Sequence, residues 1–129
     1  MSDIERIRVK VVSSTPGADS STYNLFDSTV TFGAGKLAQL GISRVEVTLA
    51  NSGSGTLKAY RSTNGGTNWD QVGGNTSWVA STATDINGPY DFLVDGHADV
   101  KVDWVNGGSA QTTWRPDVHL IKGFHGAGT

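Results

Sequence analysis

Tyr90-Asp91-Phe92-Leu93-Val94-Asp95-Gly96-His97-Ala98-Asp99-Val100-Lys101-Val102-Asp103-Trp104-Val105-Asn106-Gly107-Gly108 alternates in character through most of its length. Tyr90, Phe92 and Val94 fall on one face with Asp91 and Leu93 on the other. Ala98, Val100, Val102 and Trp104 then alternate with Asp99, Lys101 and Asp103. Period two is the mark of a β-strand with one face in the core. Asp95-Gly96 supplies a turn between the two runs, and Asn106-Gly107-Gly108 is a strong hairpin signal. A return strand is expected from Thr112 to Ile121, with Trp114, Val118 and Leu120 in the core. Pro116 cannot donate to a ladder, so it predicts an edge or a bulge.

The same period recurs outward from this stretch. Arg6, Arg8 and Lys10 alternate with Ile7, Val9 and Val11. Three cations on one strand face form either a solvated surface or an electropositive stripe for an acidic partner. Arg44 to Leu49 places Val45, Val47 and Leu49 inward, and Thr56 to Arg61 is expected to return from it as a hairpin across Asn51-Ser52-Gly53-Ser54-Gly55. Tyr23 to Phe32 predicts a strand with Asn24, Phe26, Ser28, Val30 and Phe32 on one face. Lys36 to Leu40 fits one helical turn or a loop. Ser62-Thr63-Asn64-Gly65-Gly66-Thr67-Asn68-Trp69 and Asn87-Gly88-Pro89 are further turns, rich in residues that tolerate positive φ. Trp69 is expected to anchor its turn against the sheet.

These runs predict an all-β fold, an antiparallel β-sandwich or jelly roll of about seven to eight short strands. A single domain over 1–129 is expected, with flexible ends near 1–4 and 123–129. At 129 residues such a domain buries roughly two-thirds of its unfolded surface, enough for a core without staples. Apolar residues make up 36% and charged residues 17%, with 17 glycines. The net charge of only -2 and the clear periodicity set the chain apart from disordered sequences.

Composition also narrows the function classes. There is no cysteine, which excludes disulfides and thiolate chemistry. The near-neutral balance argues against nucleic acid as a partner, since phosphate neutralisation needs clustered cations. No apolar run approaches the ~20 residues that span a bilayer, so no membrane role is expected. Met1 to Arg6 has no apolar signal region, so synthesis in the cytoplasm without a secretory signal is expected.

No enzyme is expected, because none of the candidate residues forms a catalytic set. Gly35-Lys36 is not a phosphate loop, because Val30 stands where the upstream glycine is required. His97, His119 and His125 have no partner at metal-ligand spacing. Asp99 and Asp103 flank Lys101 on what the period makes a wet face, where solubility and edge protection explain them better than catalysis. Asp85-Ile86-Asn87-Gly88 lacks the closing acid of a calcium loop. No serine sits in a nucleophile elbow. No catalytic residue, metal site or cofactor is therefore expected. Exposed tryptophan can stack on sugar rings, and Trp69, Trp78, Trp104 and Trp114 are the candidates for that role. Trp104 is in phase with Val100 and Val102, core packing is also expected for Trp69 and Trp114, and Trp78 is the least constrained.

Two resemblances add to this. Ser62 to Trp69 resembles the Asp-box hairpin of sialidases, Ser-x-Asp-x-Gly-x-Thr-Trp, with Asn64 in place of the aspartate and Asn68 in place of the threonine. That implies a rigid hairpin, in which Ser62, Asn64, Gly65, Gly66 and Trp69 are structural, and nothing about sugar cleavage; the sialidase arginine cluster is missing. Over most of its length, notably Val45–Val72 and Tyr90–Ile121, the chain resembles virion β-sandwich proteins of tailed bacteriophages, the capsid decoration (cement) type. The resemblance implies a homo-oligomer, often a trimer, that binds the major capsid protein and stabilises the shell. The protein is then expected in the virion. The alternative is a carbohydrate-binding or adhesion module, such as a phage tail or host-recognition component. Candidate contacts for a partner or ligand are Trp78, Arg6, Arg8 and Lys10.

Overall fold

The computed structural model describes residues 5–9, 15–18, 20–81, 86–94 and 98–122. Among them are eight strands and two short helical turns. In chain order these are β1 (Glu5–Val9), β2 (Thr22–Asp27), α1 (Ser28–Thr31), α2 (Lys36–Gln39), β3 (Ile42–Asn51), β4 (Gly55–Ser62), β5 (Asp70–Trp78), β6 (Asn87–Leu93), β7 (Asp99–Asn106) and β8 (Trp114–Lys122).

The antiparallel pairings nest: β1 with β8, β2 with β7, β3 with β6, and β4 with β5. Ladders β3–β8 and β4–β7 join the nested pairs into two four-stranded sheets, ordered β1-β8-β3-β6 and β2-β7-β4-β5. A chain folded back on itself in this order is a jelly roll. The inner faces meet in one cluster, with Val45, Val47, Leu49, Val118 and Leu120 from the first sheet. The second sheet contributes Leu57, Val100, Val102 and Trp104, and every one of these is fully buried. A buried side chain of this size stabilises the fold by about 1.5–3 kcal/mol. Trp104 sits between Trp78 and Trp114, with ring centroids 6.4 and 5.6 Å away.

Several expected turns prove to be something else. Only Ser62 to Trp69, among the turns above with both flanking strands described, joins strands paired in one sheet, β4 and β5. Asn51 to Gly55 leads from β3 in the first sheet to β4 in the second, so that stretch is a crossing and not a hairpin. Gly55 is there for packing: a Cβ would lie 2.3 Å from Trp104 Cζ2. Asn106-Gly107-Gly108 likewise leaves β7 for β8 in the other sheet. Of its three residues only Gly108 has positive φ (101°), whereas a type I′ turn needs it at both central positions. Gly107 instead backs onto Ser54, whose carbonyl oxygen would be 2.5 Å from an added Cβ.

Buried amides hold these crossings together. Asn106 donates to the Gly17 and Ser109 carbonyls, both at 2.9 Å, and accepts from Trp104 Nε1 and Gln111 Nε2. Gln111 also bonds both the N–H and the carbonyl of Gly53. Asn51 donates to Gly53 and Val79 and accepts from Ser81 and Asn87. Groups this buried are tolerable because they are satisfied.

Other expectations shift as well. β2 stops at Asp27, whose Oδ1 accepts from Thr29 N (2.9 Å) and Thr29 Oγ1 (2.6 Å) and so caps α1. Val30, expected on a strand face, is 81% exposed on that turn. A bulge between Asn24 and Phe26 lets both Leu25 and Phe26 face the core. Asn87-Gly88-Pro89 lies within β6 beside a register shift. β8 is an inner strand, and Pro116 lies beyond the last β1 partner, Val118. The ends 1–4 and 123–129, Asp95-Gly96, Asp85, His97 and His125 lie outside the described residues.

Candidate functional site

The outer face of the first sheet gathers charge from all four of its strands. Period two in β1 points Arg6 and Arg8 outward, and the register sets them beside Ile121 and His119 of β8. Across β8 from them stand Arg44 and Glu46 of β3, followed by Leu93 and Asp91 of β6. Asp117 and Arg115 continue the same face along β8. Four of the chain's five arginines are thus on one sheet face.

Diagonal ion pairs tile this face. Arg6 pairs with Glu46 across the intervening strand. Arg8 Nη2 and Nε lie 2.6 and 2.9 Å from Asp117 Oδ1, Arg44 Nε lies 3.3 Å from Asp91, and Arg115 Nε lies 3.8 Å from Asp117 Oδ2. The four arginine side chains nevertheless remain 53%, 68%, 40% and 54% exposed in that order. Ile121, flanked in register by Arg6 and Arg44, is buried. That fits arginine stems covering apolar surface while their heads stay in water. Arg8, Arg115, Asp117 and half-buried His119 line an open depression of about 410 Å³.

Arg6 and Arg8 therefore belong to a mixed-charge lattice and not to a bare positive stripe. Lys10 lies outside the described residues. Glu46, Arg44, Asp117 and Arg115 were missed as members of the site because their role depends on which strands are neighbours. Alternation in β3 and β8 signals only that they point outward.

The outer face of the second sheet is built differently. Lys101 Nζ sits 4.8 Å from the Tyr60 ring centroid and 5.1 Å from that of Trp69, and 3.8 Å from Asp103 Oδ2. Burial raises the Tyr60 pKa above its ordinary value, and the Asp103 carboxylate adds to the effect. Asp103 in turn accepts from Asn24 Nδ2 at 2.9 Å. Asp99 and Asp103, expected on a wet face, are both buried, and their strand β7 is central, with no edge to protect. Asp99 accepts from Gly35 N with both oxygens (3.0 and 3.1 Å) and from Ser28 Oγ (3.3 Å), so the α1–α2 segment is tied over β7.

The Ser62–Trp69 hairpin closes onto this same face. Ser62 Oγ accepts from Gly66 N (2.8 Å) and Asn64 N (3.3 Å) and donates to Asn64 Oδ1 (2.9 Å). Asn64 Oδ1 accepts from Asn68 N at 2.9 Å, in the position where the Asp-box has its aspartate. Gly65 and Gly66 have φ of 71° and 92°, values open to glycine. Trp69 lies half-buried over Lys101 of β7, against the sheet as expected of an anchor for its turn, but outside the core, contrary to the core packing also expected for it. Trp78, expected to be the least constrained, is 8% exposed and packs on Trp104, which corrects its candidacy as a ligand contact.

No family model, no curated protein and no solved structure matches the chain.

Proposed function

We propose that the protein is a virion structural protein of the capsid-decoration kind, acting by binding and not by catalysis. In this reading the outer face of β1-β8-β3-β6 docks on a protein partner, the major capsid protein or another virion protein. The observation that carries it is the placement of four of five arginines on one exposed sheet face. Exposed ion pairs contribute little to stability, about 0–1 kcal/mol each, so folding alone gives small reason for the concentration. Arginine is enriched at protein interfaces, where lysine is depleted, and it is frequent among the residues that dominate binding energy. The strands of this sheet, of 5, 9, 10 and 7 residues, rise ~3.3 Å per residue at ~4.8 Å spacing and so present roughly 500 Å² in projection. That is of the same order as the ~800 Å² per partner of a standard interface.

The jelly-roll order supports the reading as an analogy only, since the fold serves viral capsid proteins and lectins alike. A carbohydrate-binding or adhesion role is supported less well. It needs a free aromatic face, whereas Trp78 is buried and the rings of Tyr60 and Trp69 already flank Lys101. The test is light scattering of the purified protein together with co-sedimentation on phage heads. A stable homo-oligomer that sediments with heads is expected; a monomer that stays in the supernatant overturns the proposal.

A further inference from the structure

We infer that the depression between β1 and β8 receives a side-chain carboxylate from the protein partner, with Arg8 and Arg115 as its clamp. The inference rests on the docking face proposed above and adds the chemistry of the contact. Arg8 and His119 are cross-strand neighbours, and Asp117 and Arg115 follow His119 at every second residue of β8. Their side chains therefore share one face and line one open space of about 410 Å³.

Two guanidiniums here converge on one carboxylate. Arg8 directs both Nε and Nη2 at the same oxygen of Asp117, at 2.9 and 2.6 Å, while Arg115 approaches the other oxygen at 3.8 Å. A guanidinium carries five donors in a planar fork, and Asp117 meets Arg8 with a single oxygen. Of the charged side chains that line the pocket, two are guanidiniums and one is a carboxylate, and Arg8 keeps 68% of its side-chain surface in water. A second carboxylate, planar and able to take two parallel N–H bonds, matches that remaining fork geometry.

Charge complementarity separates this occupant from others. Glu46, Asp91 and Asp117 are interleaved among the arginines, so a nucleic-acid backbone would meet a carboxylate near each cation. A second copy of the same face is disfavoured too, since among the described residues its ion-paired side chains are four guanidiniums and three carboxylates, an excess of cations on each copy. A protein segment with one or a few acidic side chains can place them beside Arg8 and Arg115 and avoid the acids.

The test uses the full chain, titrated with a capped hexaglutamate peptide, its hexaglutamine counterpart and inorganic phosphate, with amide shifts followed by NMR. Hexaglutamate should shift residues around Arg8, Arg115 and His119 and hexaglutamine should not. Arg8→Ala and Arg115→Ala should each weaken hexaglutamate binding about tenfold, with unchanged circular dichroism. Arg8→Lys, which keeps the charge but loses the fork, should fall between. Asp117→Asn removes the internal competitor and should tighten binding, a direction that mere damage to the site would not give. The inference is overturned if shifts map to Lys58 and Lys101, if Asp117→Asn weakens binding, or if phosphate binds and the peptide does not. Head co-sedimentation is scored separately. Peptide binding without head binding rejects the decoration reading and leaves the clamp, while head binding unaffected by Arg8→Ala and Arg115→Ala does the reverse.

Discussion

The two outer faces of this jelly roll use their charges in opposite ways. On β2-β7-β4-β5 the charged groups are committed inward: Lys101 lies between Tyr60 and Trp69, and Asp99 is buried under the α1–α2 segment. On β1-β8-β3-β6 the arginine side chains of the ion pairs stay 40–68% exposed, over carboxylates of which Glu46 and Asp117 are only 13% and 18% exposed. The first arrangement spends its polar groups on holding chain segments together. The second keeps its arginine side chains at the water boundary, where an ion pair is worth about 0–1 kcal/mol. A face that is electrostatically rich and energetically dispensable is the better candidate for recognition.

Substitutions on the two faces should separate these roles in stability measurements. The largest effect is expected at Asp99, where Asp99→Ala strands the Gly35 N–H and Ser28 hydroxyl without their acceptor. It should cost about 3 kcal/mol in urea unfolding; a cost as small as that of an exposed pair would erase the contrast. Ser62→Ala follows at about 1–3 kcal/mol, because the hydroxyl accepts two backbone N–H groups inside the hairpin. Lys101→Met should cost about 1 kcal/mol through the lost contact with two rings, and Trp69 fluorescence should change with it. On the opposite face, Glu46→Gln should shift stability by less than about 1 kcal/mol, and a cost near that of Asp99→Ala would mean this lattice is structural.

The smallest effect is one of pH. The Tyr60 pKa is raised in the folded protein, by burial first and by Asp103 second. The folded state therefore holds this proton more tightly than the unfolded chain. The associated stability is fully present below about pH 10, the ordinary tyrosine value, and is lost as pH rises through the raised one. Tyr60→Phe should flatten stability against pH in that alkaline range. An unchanged slope would remove Tyr60 from the account of this face.

Much of the fold was legible because alternation is a local signal. Val45, Val47, Leu49, Val100, Val102 and Trp104 face the core as their spacing requires. What alternation cannot tell is whether a turn stays in its sheet. Gly65 and Gly66 are needed for positive φ, while Gly55 and Gly107 are needed because a Cβ would strike Trp104 or Ser54. In the sequence these glycines look alike, in similar company of Ser and Asn, so two inter-sheet crossings were expected as hairpins. Asp99 shows the same limit, since outward-pointing became buried once the α1–α2 segment lay over β7. The site was legible only in part. Arg6 and Arg8 stood out by alternation, but Arg44, Glu46, Arg115 and Asp117 join them only through the β1-β8-β3 neighbourhood, which the sequence order does not reveal.

The measurement that bears most directly on the arginine face is co-sedimentation with phage heads of two variants whose folding is checked by thermal melting. One replaces Arg6, Arg8, Arg44 and Arg115 with alanine, and the other carries Lys58→Ala on the opposite sheet. Loss of head binding in the first with retention in the second is predicted. Undiminished binding by the arginine variant, or loss with Lys58→Ala, would contradict the assignment.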